Sequence, residues 1–388
     1  MIWIVLCIVL FAVLFVLFWD FLPIFKNWLG RIKIGSLTDE KEWQRRAKTV
    51  VVDWLRNGAP RVPKNENKRL RLFDDIKNIG EKNQIDCWQD AALVKAATAS
   101  GGNSMSENID RFLKRYIDTD SGKWNFNPDE ARIDYAMLAY ELLCSPYVDN
   151  FAIKPAMDFT AERLKKSYEI HGSIPYNENA ANVRFVDTVG MACPFLIKYA
   201  TVYDEPEYID IAVKQIKEYE KFGIHSELKL PAHCFNSDSK APLGIYGWAR
   251  GCAWWTLGLV DSLNSILDAV GHNSDKVYLL RTALDAVYTA KDYVSTDGSV
   301  GRILTVSSAQ DSSAAAMLAY CFKSMGKLTN DSSLTEAAEK ILAHLRTATR
   351  RNGVVDYSQG DTRGIGFYSD SLCVMPAAQG FAVAAAEI

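Results

Sequence analysis

A tryptophan, an arginine and a second tryptophan open one apolar stretch of this chain, in Trp248-Ala249-Arg250-Gly251-Cys252-Ala253-Trp254-Trp255. Indole rings stack on the flat faces of sugars, and a guanidinium grips a carboxylate through parallel hydrogen bonds. His233 precedes this segment, in Pro231-Ala232-His233-Cys234. Two aspartates begin other apolar stretches: Asp134 in Asp134-Tyr135-Ala136-Met137, and Asp187 in Asp187-Thr188-Val189-Gly190-Met191. Two carboxyl groups in one cavity can divide acid and base work, because their surroundings hold a proton on one while the other ionises. Each residue also has a structural reading. An aspartate at a helix start accepts hydrogen bonds from the free N–H groups there and needs no catalytic role. For Arg250 the alternative is an ion pair with a loop carboxylate such as Asp187, and Trp255 reads as core.

Whether these side chains meet depends on the elements that carry them. Two kinds of helix alternate along the chain. Around 39–56, 106–117, 154–169, 206–221, 275–293 and 333–349 the pattern is charged and amphipathic, as for helices with one solvated face. Around 86–99, 131–144, 187–203, 250–270, 312–326 and 370–386 it is rich in small residues and apolar nearly all round, which demands burial on every side. The regular recurrence of the apolar kind marks a repeated unit. An all-α fold follows, a closed (α/α)6 toroid of six helical hairpins, with an open solenoid as the alternative. The long connections, 57–85, 118–130, 170–186, 222–249, 294–311 and 350–369, each lead into an apolar helix and so fall at one end of the ring. This places Asp134, Asp187, Trp248 and Arg250 at one mouth. Trp88, Tyr246, Trp124, Tyr176, Phe367 and Tyr368 are the aromatic candidates for lining it.

The bulk properties narrow the partners. The chain has 388 residues, 48% hydrophobic residues and a net charge of −3, which excludes wholesale disorder and leaves no basic footprint for nucleic acid. Its eight cysteines are scattered, without a C-x-x-C pair, and its histidines lack ligand spacing, so neither a metal nor a cofactor is expected. The N-terminus is different: Ile2 to Phe18 is an unbroken apolar run, extended by Trp19, Phe21, Leu22, Ile24 and Phe25 around Asp20. That length spans a bilayer, a cleaved signal peptide fits poorly, and a buried core helix is the alternative. The expected organisation is a transmembrane anchor over 1–25, a juxtamembrane linker over 26–38 and the toroid over 39–388. Lys26, Arg31, Lys33 and Lys41 after the span favour a cytoplasmic toroid, with a periplasmic one left open.

The Trp248-Ala249-Arg250-Gly251 segment resembles the Trp-Ala/Ser-Arg-Gly signature of the unsaturated glucuronyl and rhamnogalacturonyl hydrolases, glycoside hydrolase families 88 and 105 of the six-hairpin glycosidases. Asp187, with Met191, Pro194, Phe195 and Leu196 after it, is similar to the catalytic-aspartate helix of those enzymes. Asp134, in Ile133-Asp134-Tyr135, falls where they have a second active-site aspartate, and His233 matches a substrate-binding histidine. The run from Ser312 to Tyr320 looks like their later small-residue helix. The resemblance covers 80–388 and is specific over 187–255. It implies that Asp187 protonates the 4,5 double bond of an unsaturated uronic acid, that Arg250 clamps the substrate carboxylate, and that Trp248 and Trp254 stack on the sugar. One departure is Cys252, where the family carries an asparagine or glutamine whose amide holds substrate or water. Another is Thr188, where one branch has a second aspartate. Two functions are consistent with this: a glycoside hydrolase acting on acidic, uronate-containing glycans, or a membrane-anchored polysaccharide-assembly protein, beside an export or synthesis complex, that binds or trims a growing glycan.

Overall fold

The computed structural model describes residues 2–62, 86–126, 132–362 and 364–388. Its helices are α1 (Ile2–Arg31), α2 (Glu40–Asn57), α3 (Cys87–Ser100), α4 (Asn103–Tyr116), α5 (Asp134–Cys144), α6 (Lys154–His171) and α7 (Val186–Tyr203), followed by α8 (Glu207–Gly223), α9 (Ala249–Ile266), α10 (Asn273–Asp292), α11 (Ser312–Thr329), α12 (Ser332–Thr347) and α13 (Pro376–Glu387). After α1, even-numbered helices are amphipathic and form the outer layer. Odd-numbered helices are buried almost throughout and form an inner ring. Each inner helix packs on the next, and α13 packs back on α3, so the ring is closed. Small residues permit that seam: a methyl group on Gly380 of α13 would collide with the backbone of Ala92 on α3.

Buried charge ties the ring together across its middle. Lys95 of α3 lies 3.0 Å from Glu141 of α5 and 3.1 Å from Asp261 of α9. The Tyr320 hydroxyl of α11 donates to the other oxygen of Asp261 at 2.9 Å, and its ring faces the Lys95 ammonium. An ammonium out of water needs such partners, since an unpaired buried charge is strongly destabilising.

Two small sheets sit at the end where inner helices begin. β1 (Val183–Phe185), β2 (Cys234–Asn236) and β3 (Pro242–Leu243) form an antiparallel three-stranded sheet, and β4 (Ser358–Gln359) pairs with β5 (Leu372–Cys373). The N-terminal helix differs from the expectation of a linker over 26–38. α1 continues unbroken through Arg31, because Asn27, Gly30 and Arg31 pack on the toroid and extend the helical path past the apolar run. Its most apolar window has a mean hydropathy of 3.1 and none of it is buried against the rest of the chain.

Candidate active site

The inner-helix N-termini surround a cavity of about 620 Å³. Asp134, Asp187, His233, Trp248, Arg250, Trp254 and Trp88 all line it, drawn together from four inner helices and the loop before α9. The N-termini of α5, α7 and α9 have no side-chain cap from their own N-cap residues, and that of α3 is capped by Asp134, itself on the wall. The positive ends of these helix dipoles therefore converge on the cavity and favour an anionic occupant.

Asp187 stands in the first turn of α7, its side chain 13% exposed. Burial pushes its carboxyl up to about 7, outweighing the backbone N–H and the Arg250 charge that favour ionisation, while Asp361 adds to the rise. Its Oδ2 is buried without a hydrogen bond among the described residues. The small sheet brings His233 to it: Phe185 pairs with Cys234, and the Val186 N–H donates to the His233 carbonyl at 3.0 Å. This leaves the His233 Nε2 3.9 Å from Asp187, too far for a hydrogen bond. The imidazole is packed among Phe185, Trp248 and Tyr368, and burial followed by the Arg250 charge lowers its pKa to about 4. Near neutral pH His233 is therefore uncharged.

Asp134 has a second task. Its Oδ2 accepts from the Cys87 N–H at 2.8 Å and from Arg132 at 3.3 Å, so it caps the neighbouring helix α3 rather than its own. Its Oδ1 is buried and unpartnered among the described residues, and burial raises its pKa above the ordinary value. Capping and site roles thus coexist in one carboxyl. Asp311 at the start of α11 accepts from the Ser313 and Gln359 N–H groups through one oxygen and does not line the cavity.

Arg250 is fully buried. Its Nη1 donates to the Gln359 carbonyl at 2.7 Å and its Nη2 to the Gly360 carbonyl at 2.9 Å. The alternative pairing with Asp187 is not formed as a contact. The guanidinium holds the β4 end and acts on Asp187 through its charge. Trp248 donates to the Gln359 side chain at 3.0 Å, and Trp254 packs edge-on against Trp88 at 5.3 Å, so these indoles are wall more than open platform.

The model of Glycosyl Hydrolase Family 88 matches residues 65–378, most of the chain. The chain belongs to glycosyl hydrolase family 88. A solved structure described as a possible member of the GH105 family, from Salmonella enterica serovar Paratyphi A, is similar with a TM-score of 0.72 and 18% identity, over 89% of this chain and 92% of that one. The unsaturated glucuronyl hydrolase of Bacillus sp. GL1, described as responsible for glycosaminoglycan degradation, gives 0.64 and 19%, over 89% and 93%. An unsaturated glucuronyl hydrolase specific for heparin gives 0.63 and 15%, over 89% and 96%. At these identities the likeness establishes the six-hairpin fold. No curated protein matches the sequence.

Within this family-88 chain two expectations change. Tyr246 does not line the cavity; it packs at right angles on His225, 4.8 Å between rings. Gly247, at φ +83°, reverses the chain between Tyr246 and Trp248, so residues two apart leave in different directions. Cys252 does not line the cavity either. It is buried in α9, its thiol pushed up to about 12, so it does not stand where an amide would reach substrate. Residues missed by motif are Asp86, Arg132, Arg163, Asn177, Phe185 and Asp361, all on the wall. Arg132 pairs with Asp86 at 2.9 Å while also touching Asp134. Of the looser aromatic candidates, Tyr176 lines the cavity and Tyr368 braces His233. Trp124 is bonded into the core, and Phe367 is exposed. Among the described residues one group with metal-ligand geometry occurs, Asp210, His272 and Asp275, but it lies outside the cavity and Lys217 already bonds Asp275 at 3.4 Å.

Proposed function

We propose that this protein hydrates the 4,5 double bond of an unsaturated uronic acid at the non-reducing end of an acidic oligosaccharide, with Asp187 as general acid and base. The observation that carries the proposal is a carboxyl that keeps its proton to about pH 7, with an unpartnered oxygen, in a cavity at converging helix N-termini. An acid must be protonated at working pH to donate, and burial supplies that. Asp187 gives its proton to one alkene carbon. Water attacks the other, and the Asp187 carboxylate takes the proton that the water releases. The C5 hemiketal so formed opens to a ketone, which leaves C1 as a hemiacetal; its collapse to an aldehyde breaks the glycosidic C1–O bond and frees the remaining saccharide. This differs from the oxocarbenium route of ordinary glycosidases and needs one acid–base group rather than a carboxylate pair at fixed separation.

The remaining wall residues fall into supporting roles. Asp134, held by Cys87 and Arg132, offers its Oδ1 to a sugar hydroxyl. Arg132, Arg163, Arg250 and the helix N-termini give the wall a positive potential that attracts the substrate carboxylate. The test is incubation of the full chain, in detergent micelles, with lyase-generated oligosaccharides carrying unsaturated glucuronate or galacturonate. Loss of the double-bond ultraviolet absorbance is expected. Failure on every such substrate, or undiminished turnover by Asp187→Asn, refutes the assignment.

The apolar helix belongs to the same reading. We propose that α1 crosses a bilayer, as its length and hydropathy allow. Flotation of the full chain with lipid vesicles through alkaline carbonate tests this; release from the vesicles refutes it.

A further inference from the structure

We propose that the active cavity is held against the bilayer surface and takes its acidic glycan from chains tethered to that membrane, an inference that rests on α1 spanning the bilayer. The argument begins with Arg31. Its Nε and Nη2 bond both oxygens of Asp356 at 2.9 and 3.0 Å, and Nη2 also donates to the Leu372 carbonyl at 2.7 Å. Arg350 braces the joint, bonding Asp356 at 2.7 Å and the Asn27 side chain one turn back in α1. The Gly35 N–H donates to the Thr349 carbonyl at 2.9 Å, and the Arg31 guanidinium lies over the Tyr357 ring.

These contacts fall on a particular part of the toroid. Leu372 pairs with Gln359 in the β4–β5 ribbon, so Arg31 staples the base of that ribbon across both strands. The ribbon's outer turn supplies Asp361 and Thr362 to the cavity wall, and Tyr368 to the side of His233. Gln359 and Gly360, the next residues after β4 begins, hold Trp248 and Arg250. The membrane helix is therefore mounted on the cavity wall itself, at the end of the ring where inner helices start. The opposite end, with its short connections such as 204–206 and 330–331, makes none of these contacts.

The mounting has almost no slack. The apolar run ends at Phe25, and Asn27 and Arg31 already touch the toroid. At 1.5 Å per helical residue, docked and lipid-facing residues are about 3–9 Å apart along the axis. So short an attachment holds the mouth within a few residues of the lipid-facing run. Substrate fixed on the same surface meets the cavity at an effective concentration in the millimolar range.

The experiment uses the full chain in vesicles carrying a headgroup fluorophore, with Cys7→Ser and a single dye at Asn179→Cys on the cavity rim or at Val270→Cys in the connection between α9 and α10. Stronger energy transfer from the rim dye is expected; equal or weaker transfer overturns the orientation. A second arm compares an unsaturated uronate disaccharide free in solution with the same disaccharide coupled to phosphatidylethanolamine in the vesicles. Preference of about tenfold or more for the tethered form is expected, and its absence overturns the substrate class. A flexible insert of about twenty Gly/Ser residues between Phe25 and Lys26, ~25 Å in mean span, should bring the energy transfer from the two dye positions closer together while leaving turnover of the free disaccharide unchanged; an undiminished difference overturns the rigid mounting. Loss of all turnover alongside strong rim transfer sinks the proposed reaction and leaves the orientation standing. A chain that fails to float with vesicles sinks the orientation.

Discussion

Asp187→Asn keeps the shape of the side chain and removes its titration. In the folded chain this carboxyl holds its proton to about pH 7, whereas unfolded it releases it near its ordinary value of 3.8. The folded state thus prefers the protonated form. This group's contribution to stability is greatest below pH 3.8, declines as pH rises to about 7 and is flat above. A gap of about three pH units at about 1.36 kcal/mol each sets the decline at ~4 kcal/mol. The side chain is 13% exposed, so water relieves part of that. The asparagine variant is therefore expected to be more stable than the parent by about 2–4 kcal/mol at pH 8 and equal to it at pH 4. In thermal unfolding of the full chain in micelles, this is a rise on the order of 5 °C at pH 8. Turnover should fall by about 100-fold or more in the same protein. A variant that gains no stability at pH 8, or gains as much at pH 4, refutes burial as the cause of the raised pKa. Undiminished activity refutes the role of acid.

The pH dependence of kcat/KM should be level between about 4 and about 7, falling above as Asp187 ionises and below as His233 gains a proton; an ascending limb near 6.5 would mean that His233 titrates as an exposed imidazole. Arg250→Lys loses the fork that bonds the Gln359 and Gly360 carbonyls, and should destabilise by about 3 kcal/mol and raise KM more than it lowers kcat, because the ribbon and Asp361 shift; chemical denaturation and steady-state kinetics read both. Gly380→Ala forces a methyl into the Ala92 backbone at the seam of the ring and should destabilise by at least about 1–3 kcal/mol, measured by its urea midpoint, with unchanged stability refuting the tight seam.

The alternation of solvated and wholly apolar helices was legible because hydrophobic periodicity reports burial directly, and a closed ring is how apolar helices satisfy it. Asp134, Asp187, Trp248 and Arg250 were placed together for the same reason: equivalent positions in a repeat lie at the same end. The loop residues were not legible. Asp86 and Arg132 stand at the first positions of the expected helices 86–99 and 131–144 and Asp361 in the loop 350–369, where the course of the chain is set by contacts such as Arg132 with Asp86 rather than by periodicity. The orientation of a side chain near a glycine turn was also out of reach, as Tyr246 shows beside Gly247. The partners of Arg250 depend on a loop in a related way. Its chemistry as a carboxylate clamp is the same chemistry that binds two backbone carbonyls, and only the path of 359–360 decides between them.

The buried meeting of Lys95, Glu141, Asp261 and Tyr320 sets a condition on how this ring comes into being. Its donors and acceptors are separated by as many as 225 residues, on helices that leave the ribosome far apart in time. A chain stopped after α7 has Lys95 and Glu141 but lacks Asp261 and Tyr320, so an ammonium would be enclosed with one carboxylate whose own burial disfavours its charge. Such a half-ring gains little by closing early, and water remains the better partner until α9 and α11 arrive. The cluster is thus complete, with two carboxylates and a tyrosine hydroxyl around Lys95, only in a chain whose α9 and α11 have been made.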